Sequence, residues 1–287
     1  MYRYGRSSNQ AGFRSSTPLT NDEIARYAPS VLASDAHESR GDRYAFIPTI
    51  HVLDRLRREG FQPFEVRQTN CRDDGKRAFT KHMVRLRHPD APATAGEAPE
   101  VILINSHDGT SSYQLLSGFF RFVCSNGLIA GDVCEDIRVR HSGNVVDDVL
   151  EGCIKVVDNL THAQDRIDMY RGVTLSDPER YLLAESAAEL RWGRDDQGDL
   201  AMPIHSVQHL LTPHRSADAR NDLWSTFNVV QENLVKGGLP GRSANGRRTR
   251  TREVGGVTQN VALNRALWTL ADGMAKLKTG GFEPAHA

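Results

Sequence analysis

Val101-Ile-Leu-Ile-Asn105, the polar bend Ser106-His-Asp-Gly-Thr-Ser-Ser112 and then Tyr113-Gln-Leu-Leu-Ser-Gly-Phe-Phe-Arg-Phe-Val-Cys124 run on without a break, and their alternation decides the fold class. The first run crowds β-branched and leucine side chains into five residues, as a strand does. After the bend, Leu116, Phe120, Phe122 and Cys124 share one side of a period of two, so 112–124 reads as a second strand. Ser125-Asn126-Gly127 then reads as a tight turn, because Asn-Gly accepts the positive φ angles of a type I′ hairpin.

The same reading extends in both directions. Tyr44 to Thr49, Phe64 to Cys71, Lys81 to His88 and Ile137 to His141 read as strands, with Asp73-Asp74-Gly75 as a hairpin turn between two of them. Ile50 to Glu59 reads as a short amphipathic helix stopped by Gly60, and 89–99, rich in Pro, Ala and Gly, as a loop. Thr20 and Glu23 form a capping box, opening a helix that runs to about Leu32. Past Gly143 the period becomes helical, with Val145, Val149, Cys153, Val156 and Leu160 on one stripe. Asp177 and Pro178 read as cap and first turn of a helix ending near Trp192, and Asn221 to Lys236 as the next, with Trp224, Phe227 and Leu234 inward. Leu263, Leu267, Leu270, Met274 and Leu277 mark a last helix. Strands first and helices second give an α+β fold: an N-terminal, mainly antiparallel sheet with hairpins, then a C-terminal helical part. The expected organisation is a flexible tail 1–20, a strand-rich part 21–143 and a helical part 144–279 with a basic arm 237–256, all one composite domain.

Composition narrows the function. The 287 residues carry 36 Lys plus Arg against 36 Asp plus Glu, a formal charge of zero, which excludes coating nucleic acid with the whole surface but not with one local groove. The hydrophobic fraction of 39% and charged fraction of 25% place the chain among globular proteins. No apolar run approaches the roughly 20 residues of a membrane span. The N-terminus lacks the apolar core of a secretion signal, and Cys71, Cys124, Cys134 and Cys153 form no Cys-x-x-Cys pair, so the expectation is a cytoplasmic protein with reduced thiols.

Three groups of residues are candidates for chemistry. The bend Asn105, Ser106, His107, Asp108, Gly109, Thr110, Ser111 admits three readings. His107 and Asp108 serve as acid–base groups, with His141 a further member. Or Asn105, Ser106, Gly109, Thr110 and Ser111 form an anion-binding nest. Or the bend satisfies its own backbone. His205 and His209 lie four apart, but Ser206 stands where a metalloprotease carries glutamate, so no metal site is expected. Phosphate-loop, dinucleotide and serine-elbow motifs are absent, and no cofactor is implied. The third group is Arg242, Arg247, Arg248, Arg250 and Arg252, on an arm that Gly237, Gly238, Gly241 and Gly246 make flexible and in which no acid lies between Gly237 and Arg252. Forked guanidinium donors suit phosphates. Alternation adds Arg138 and Arg140 on one strand and Lys81, Arg85 and Arg87 on another, giving a positive sheet face. Tyr44, Tyr113, Phe119 and Tyr170 are the candidates for stacking on bases.

Tyr44-Ala-Phe-Ile-Pro-Thr49, Asn105-Ser-His-Asp-Gly-Thr-Ser111, Gly118-Phe-Phe-Arg-Phe-Val-Cys-Ser-Asn-Gly127, Arg138-Val-Arg-His141, Leu223-Trp-Ser-Thr-Phe-Asn-Val-Val-Gln-Glu-Asn-Leu234 and Leu263-Asn-Arg-Ala-Leu-Trp268 resemble the phage- and plasmid-type family catalogued as domain of unknown function 932. The resemblance runs from about Thr17 to Leu277 and implies a bacterial mobile-element protein; it supplies no catalytic residues. The order of elements is also similar to the core of phage single-strand annealing proteins, an analogy of fold alone. The leading expectation is a non-enzymatic protein that binds single-stranded DNA, as an oligomer, without contact with a membrane. The alternatives are a metal-assisted phosphoesterase at 105–112 and a module that blocks a host defence protein.

Overall fold

A computed structural model of the chain describes residues 12–39, 46–71, 73–91, 96–122, 126–129, 137–141, 144–243 and 245–280. Its strands come first and its long helices second, so the fold is α+β, an antiparallel sheet followed by C-terminal helices. Strands β1 (Gly12–Arg14), β2 (Gln62–Gln68), β3 (His82–Arg87), β4 (Glu97–Asn105) and β5 (Tyr113–Arg121) lie in chain order, each antiparallel to the last. β6 (Asn126–Ile129) is a further short strand, and β7 (Ile137–Val139) pairs with β5. Asn126 and Gly127, expected in a turn, therefore belong to a strand, while Ser125 lies outside the described residues.

Helix α1 (Asn21–Tyr27) starts at the Thr20–Glu23 capping box and gives way to a 3₁₀ turn at Pro29–Leu32, because proline at the first position of a new turn breaks the α ladder. Tyr44 to Thr49 is not a strand where it is described: residues 46–48 are irregular, and Thr49 opens α2 (Thr49–Arg58). Asp73 makes no tight hairpin either. Its carboxylate accepts from the Gly75 N–H at 3.0 Å and caps the short α3 (Asp74–Arg77), which joins β2 to β3. The expected loop 89–99 ends early, since β4 begins at Glu97.

Contacts divide the chain into two compact units. The first holds Met1–Phe122, Cys134–Leu160 and Gly255–Thr258. Its core lies on the sheet face carrying Val66, Val84, Leu86, Val101, Leu103, Tyr113 and Leu115, where Val52, Leu53 and Leu56 of α2 are buried with Val149, Cys153 and Val156 of α4 (Val145–Gly172). Burial raises the pKa of the Cys153 thiol well above its ordinary value. Cys124 and Cys134 lie outside the described residues.

The second unit holds Val123–Val133, Thr161–Val254 and Gln259–Ala287. Helix α5 (Asp177–Trp192) is capped by Ser176, one residue before the expected Asp177, with Glu179 accepting from the Ser176 N–H at 2.7 Å. Helix α6 (Leu223–Lys236), capped by Asp222, is buried on every side from Leu223 to Val235. Helix α7 (Val257–Thr279) buries Leu263, Leu267 and Met274 as expected; Leu277, past its packed region, is exposed. Trp268 meets Tyr170, Trp224 and Phe227 at ring distances of 5.5, 6.3 and 6.1 Å. No helix among the described residues is long and apolar enough to cross a membrane.

Candidate nucleic-acid interface

The basic arm is an ordered hairpin, not a flexible loop. Strand β8 (Pro240–Arg242) pairs antiparallel with β9 (Arg248–Arg250) in the register Pro240 to Arg250, Gly241 to Thr249 and Arg242 to Arg248. At its tip the Ser243 N–H donates to the Arg247 carbonyl at 2.9 Å and the Gly246 N–H to the Ser243 carbonyl at 2.8 Å, with Gly246 at φ 72°. Gly241 is required for a different reason. A Cβ there would stand 1.9 Å from the Pro203 carbonyl oxygen, because the Pro203–Ile204 segment docks along β8, where the Arg242 N–H donates to that carbonyl at 2.7 Å.

The register sets the electrostatics. Arg242 and Arg248 stand opposite each other, and Arg250 follows two residues on, so three guanidinium groups share one face of the ribbon. With His205 and Gly241 they line an open cleft of about 560 Å³. Arg242 and Arg250 brace themselves on the Gly246 and Gly238 carbonyls at 2.9 and 2.6 Å. Arg242, Arg247, Arg248, Arg250 and Arg252 are all exposed, and among the described residues none of the five makes an ion pair. Like charges opposed across a ladder are destabilising, and no carboxylate among the described residues pairs with Arg242, Arg248 or Arg250.

The arginines of the sheet lie differently. Arg85 is 1% exposed; its Nε donates to Glu100 at 2.5 Å, and Glu65 stands 3.9 Å away. The Arg87 Nε donates to the other Glu100 oxygen at 2.9 Å. Glu65 also takes Arg14 and Arg67. Burial alone would raise the Glu65 carboxyl, but Arg14, Arg67 and Arg85 together hold it far below the usual carboxylate range. Arg85 and Arg87 are therefore neutralised within the fold instead of forming an open positive face. Lys81 donates to the Thr258 hydroxyl at 3.1 Å. Arg138 and Arg140 flank Val139 and are exposed.

The bend 106–112 satisfies itself. Asp108 accepts from the Thr110 N–H at 2.9 Å and its hydroxyl at 2.6 Å, and Ser106 Oγ accepts from the Ser111 N–H at 2.8 Å. Two of the donors that an anion nest would use are thus already bonded. The histidines, by contrast, do come together, on Thr49. Its hydroxyl lies 3.0 Å from His82 Nε2, 3.1 Å from His107 Nε2 and 3.0 Å from Asn105 Nδ2; the Asn105 carbonyl meets His141 Nε2 at 2.9 Å. Sequence reasoning missed Thr49 and His82. His82, His107 and Thr49 are fully buried. Burial, aided by the neighbouring histidines, pulls His82 down to about 3 and His107 down to about 4, so both are neutral. Among the described residues no group of His, Cys, Asp or Glu is arranged to hold a metal.

Of the expected stacking residues, Tyr113, Phe119 and Tyr170 are interior, and Tyr44 lies outside the described residues. Among the described residues the exposed large aromatics are Phe122, at 53%, and Tyr181, at 43%.

Comparison with known proteins places these features in a family. The model of the domain of unknown function DUF932 matches residues 36–268. The chain is similar to UPF0380 protein YafZ of Escherichia coli K12, 48% identical over 261 residues, 91% of this chain and 93% of the relative. It is similar to UPF0380 protein YfjQ of the same organism, 48% identical over 259 residues, 90% and 92% of the two chains. No solved structure matches.

Proposed function

The chain belongs to the DUF932 family, and from the geometry of its basic hairpin we propose that it binds nucleic acid, single-stranded DNA above all, through the phosphate backbone. The observation that carries this reading is the shared face of Arg242, Arg248 and Arg250 beside His205, exposed and lacking carboxylate partners among the described residues. A ribbon is a stiff mount for such donors. Successive same-face residues on a strand stand about 6.7 Å apart, two rises of the chain, so the three guanidinium groups can bridge neighbouring phosphates instead of crowding one. Each contact releases condensed counterions, and affinity falls with salt accordingly. Arg247 and Arg252 extend the positive field at either end of β9.

The test is binding of fluorescent single-stranded DNA across a salt series. The protein is expected to bind at low salt. Replacing Arg242, Arg248 and Arg250 together by alanine is expected to flatten the log–log salt slope by about 2, at roughly 0.7 per lost phosphate contact on a single strand. Absence of binding at low salt, or a slope unmoved by the triple replacement, overturns the proposal.

A further inference from the structure

Helix α5 has two apolar faces. Leu183, Ala184, Ala187 and Ala188 are buried towards the Val207–Leu211 turn and α6. Leu182 and Leu190, on the other side, are 54% and 49% exposed. An amphipathic surface helix carries charged or polar residues there. Leucines scattered singly on a surface need no explanation, but these two stand in a pattern.

Glu179, Leu182, Ser186, Leu190 and Gly193 follow one another at steps of three, four, four and three. Such steps keep all five on one stripe, turned away from the buried face. Their mean of about 3.5 residues is that of a seam packed against another helix. The steps also read the same from either end. Ser186 stands at the middle, with a leucine four residues away on each side.

We infer that this stripe is a homodimer interface, in which α5 pairs antiparallel with α5 of a second copy about a two-fold axis at Ser186. The symmetry of the stripe selects the occupant. In an isologous pair residue i meets j and j meets i. A two-fold at Ser186 sets Leu182 level with Leu190 of the other copy at both ends of the contact. Ser186 then meets itself, and its small side chain lets the axes approach to the roughly 8–10 Å of packed helices. Charge selects the direction. Asp177 and Glu179 lie in the first turn of α5, Arg191 in its last and Arg194 just beyond. Antiparallel pairing sets the acidic end of one helix beside the basic end of the other and opposes their dipoles, whereas parallel pairing would set like against like. Lys278 donates to Glu179 at 2.9 Å, so the end of α7, with its exposed Leu277, stands beside the stripe. The Arg191 Nη2 donates to the Arg252 carbonyl at 3.5 Å, which joins α5 to the segment leaving the basic hairpin. A pair of chains therefore presents two hairpins, although the pairing does not depend on what they bind.

The experiment is sedimentation velocity of the full chain over a micromolar concentration series. The unaltered protein is expected to approach twice the mass of one chain. Leu182→Lys combined with Leu190→Lys is expected to stay at the mass of one chain throughout and to keep the far-ultraviolet circular dichroism, since both side chains are exposed within a single copy. Ser186→Cys is expected to form a covalent dimer on mild oxidation. Tyr181→Cys, also exposed but about 140° round the helix from Ser186, is expected to form no more of it than the unaltered chain. A protein that is monomeric throughout the series overturns the inference. So does a dimer that the two lysines leave intact, or Ser186→Cys crosslinking no faster than Tyr181→Cys. Should the lysine pair lose its circular dichroism, the crosslinking comparison decides.

Discussion

Arg85 and Arg248 occupy equivalent positions in the sequence, each two residues from another arginine on a short strand, and the fold treats them oppositely. Arg85 is buried against Glu100 with Glu65 near by; Arg248 faces Arg242 across an exposed ribbon. The difference comes from the partner strand. β3 pairs with β2 and β4, which place Glu65 and Glu100 on its outer face, whereas β9 pairs with β8, whose same-face residue is another arginine. A guanidinium cannot shed its charge, so it enters an interior only with a carboxylate.

The strongest way to break this comparison is Glu100→Gln. The side chain has nearly the same shape, but Arg85 and Arg87 both lose their nearest charge. A buried arginine left uncompensated costs about 3 to 5 kcal/mol, expected as a large fall in the urea midpoint. A loss below about 1 kcal/mol, the scale of exposed pairs, would show that Arg85 is solvated and that the two arginine classes are alike.

The histidines sharpen the comparison, because they can do what arginine cannot. His82 and His107 enter the interior by giving up the proton, held to about 3 and about 4 by burial. Their folded values lie below the ordinary 6.5, so the unfolded chain binds more protons between those limits. The stability they confer is complete above about pH 6.5 and is lost as the pH falls toward their folded values. Each is expected to withdraw about 2 kcal/mol between pH 6.5 and pH 5. Urea unfolding at about pH 7 and pH 5 measures the sum, and His107→Asn should remove its own share. Equal stability at the two pH values would mean that the cluster around Thr49 is open to water. Glu65 contributes little in this window, because the stability it confers is lost only as the pH falls below the ordinary carboxylate value toward its depressed folded one.

The parts of the molecule legible in sequence were those set by local pattern. The Thr20–Glu23 capping box, the strand after the 106–112 bend and the Leu263, Leu267 and Met274 part of the α7 stripe each depend on near neighbours and stand where their residues indicate, whereas Phe122 and Leu277, expected on those same faces, are exposed. The arginine cluster was legible as composition, but its order was not. Gly237, Gly238, Gly241 and Gly246 suggested flexibility, whereas Gly241 is there so that Pro203 can approach and Gly246 turns a hairpin. The pairing of Arg85 with Glu100 depends on strand register across 15 residues, and the meeting of Thr49, His82, His107 and His141 on three separate returns of the chain. Alternation places a side chain on a face; only register says what stands beside it.

The smallest expected effect separates the two arginine classes most directly. Arg248→Thr removes one of two opposed like charges and supplies a residue that favours strands. Its folding stability should stay level or rise by about 0.2 to 1 kcal/mol, against the several kcal/mol lost at Glu100. Its single-strand DNA binding should weaken, with a salt slope shallower by about 0.7. A residue whose removal steadies the fold and weakens binding is held in place by its ligand and not by its neighbours. Loss of stability together with unchanged binding would reverse that assignment and make Arg248 a structural member of the ribbon.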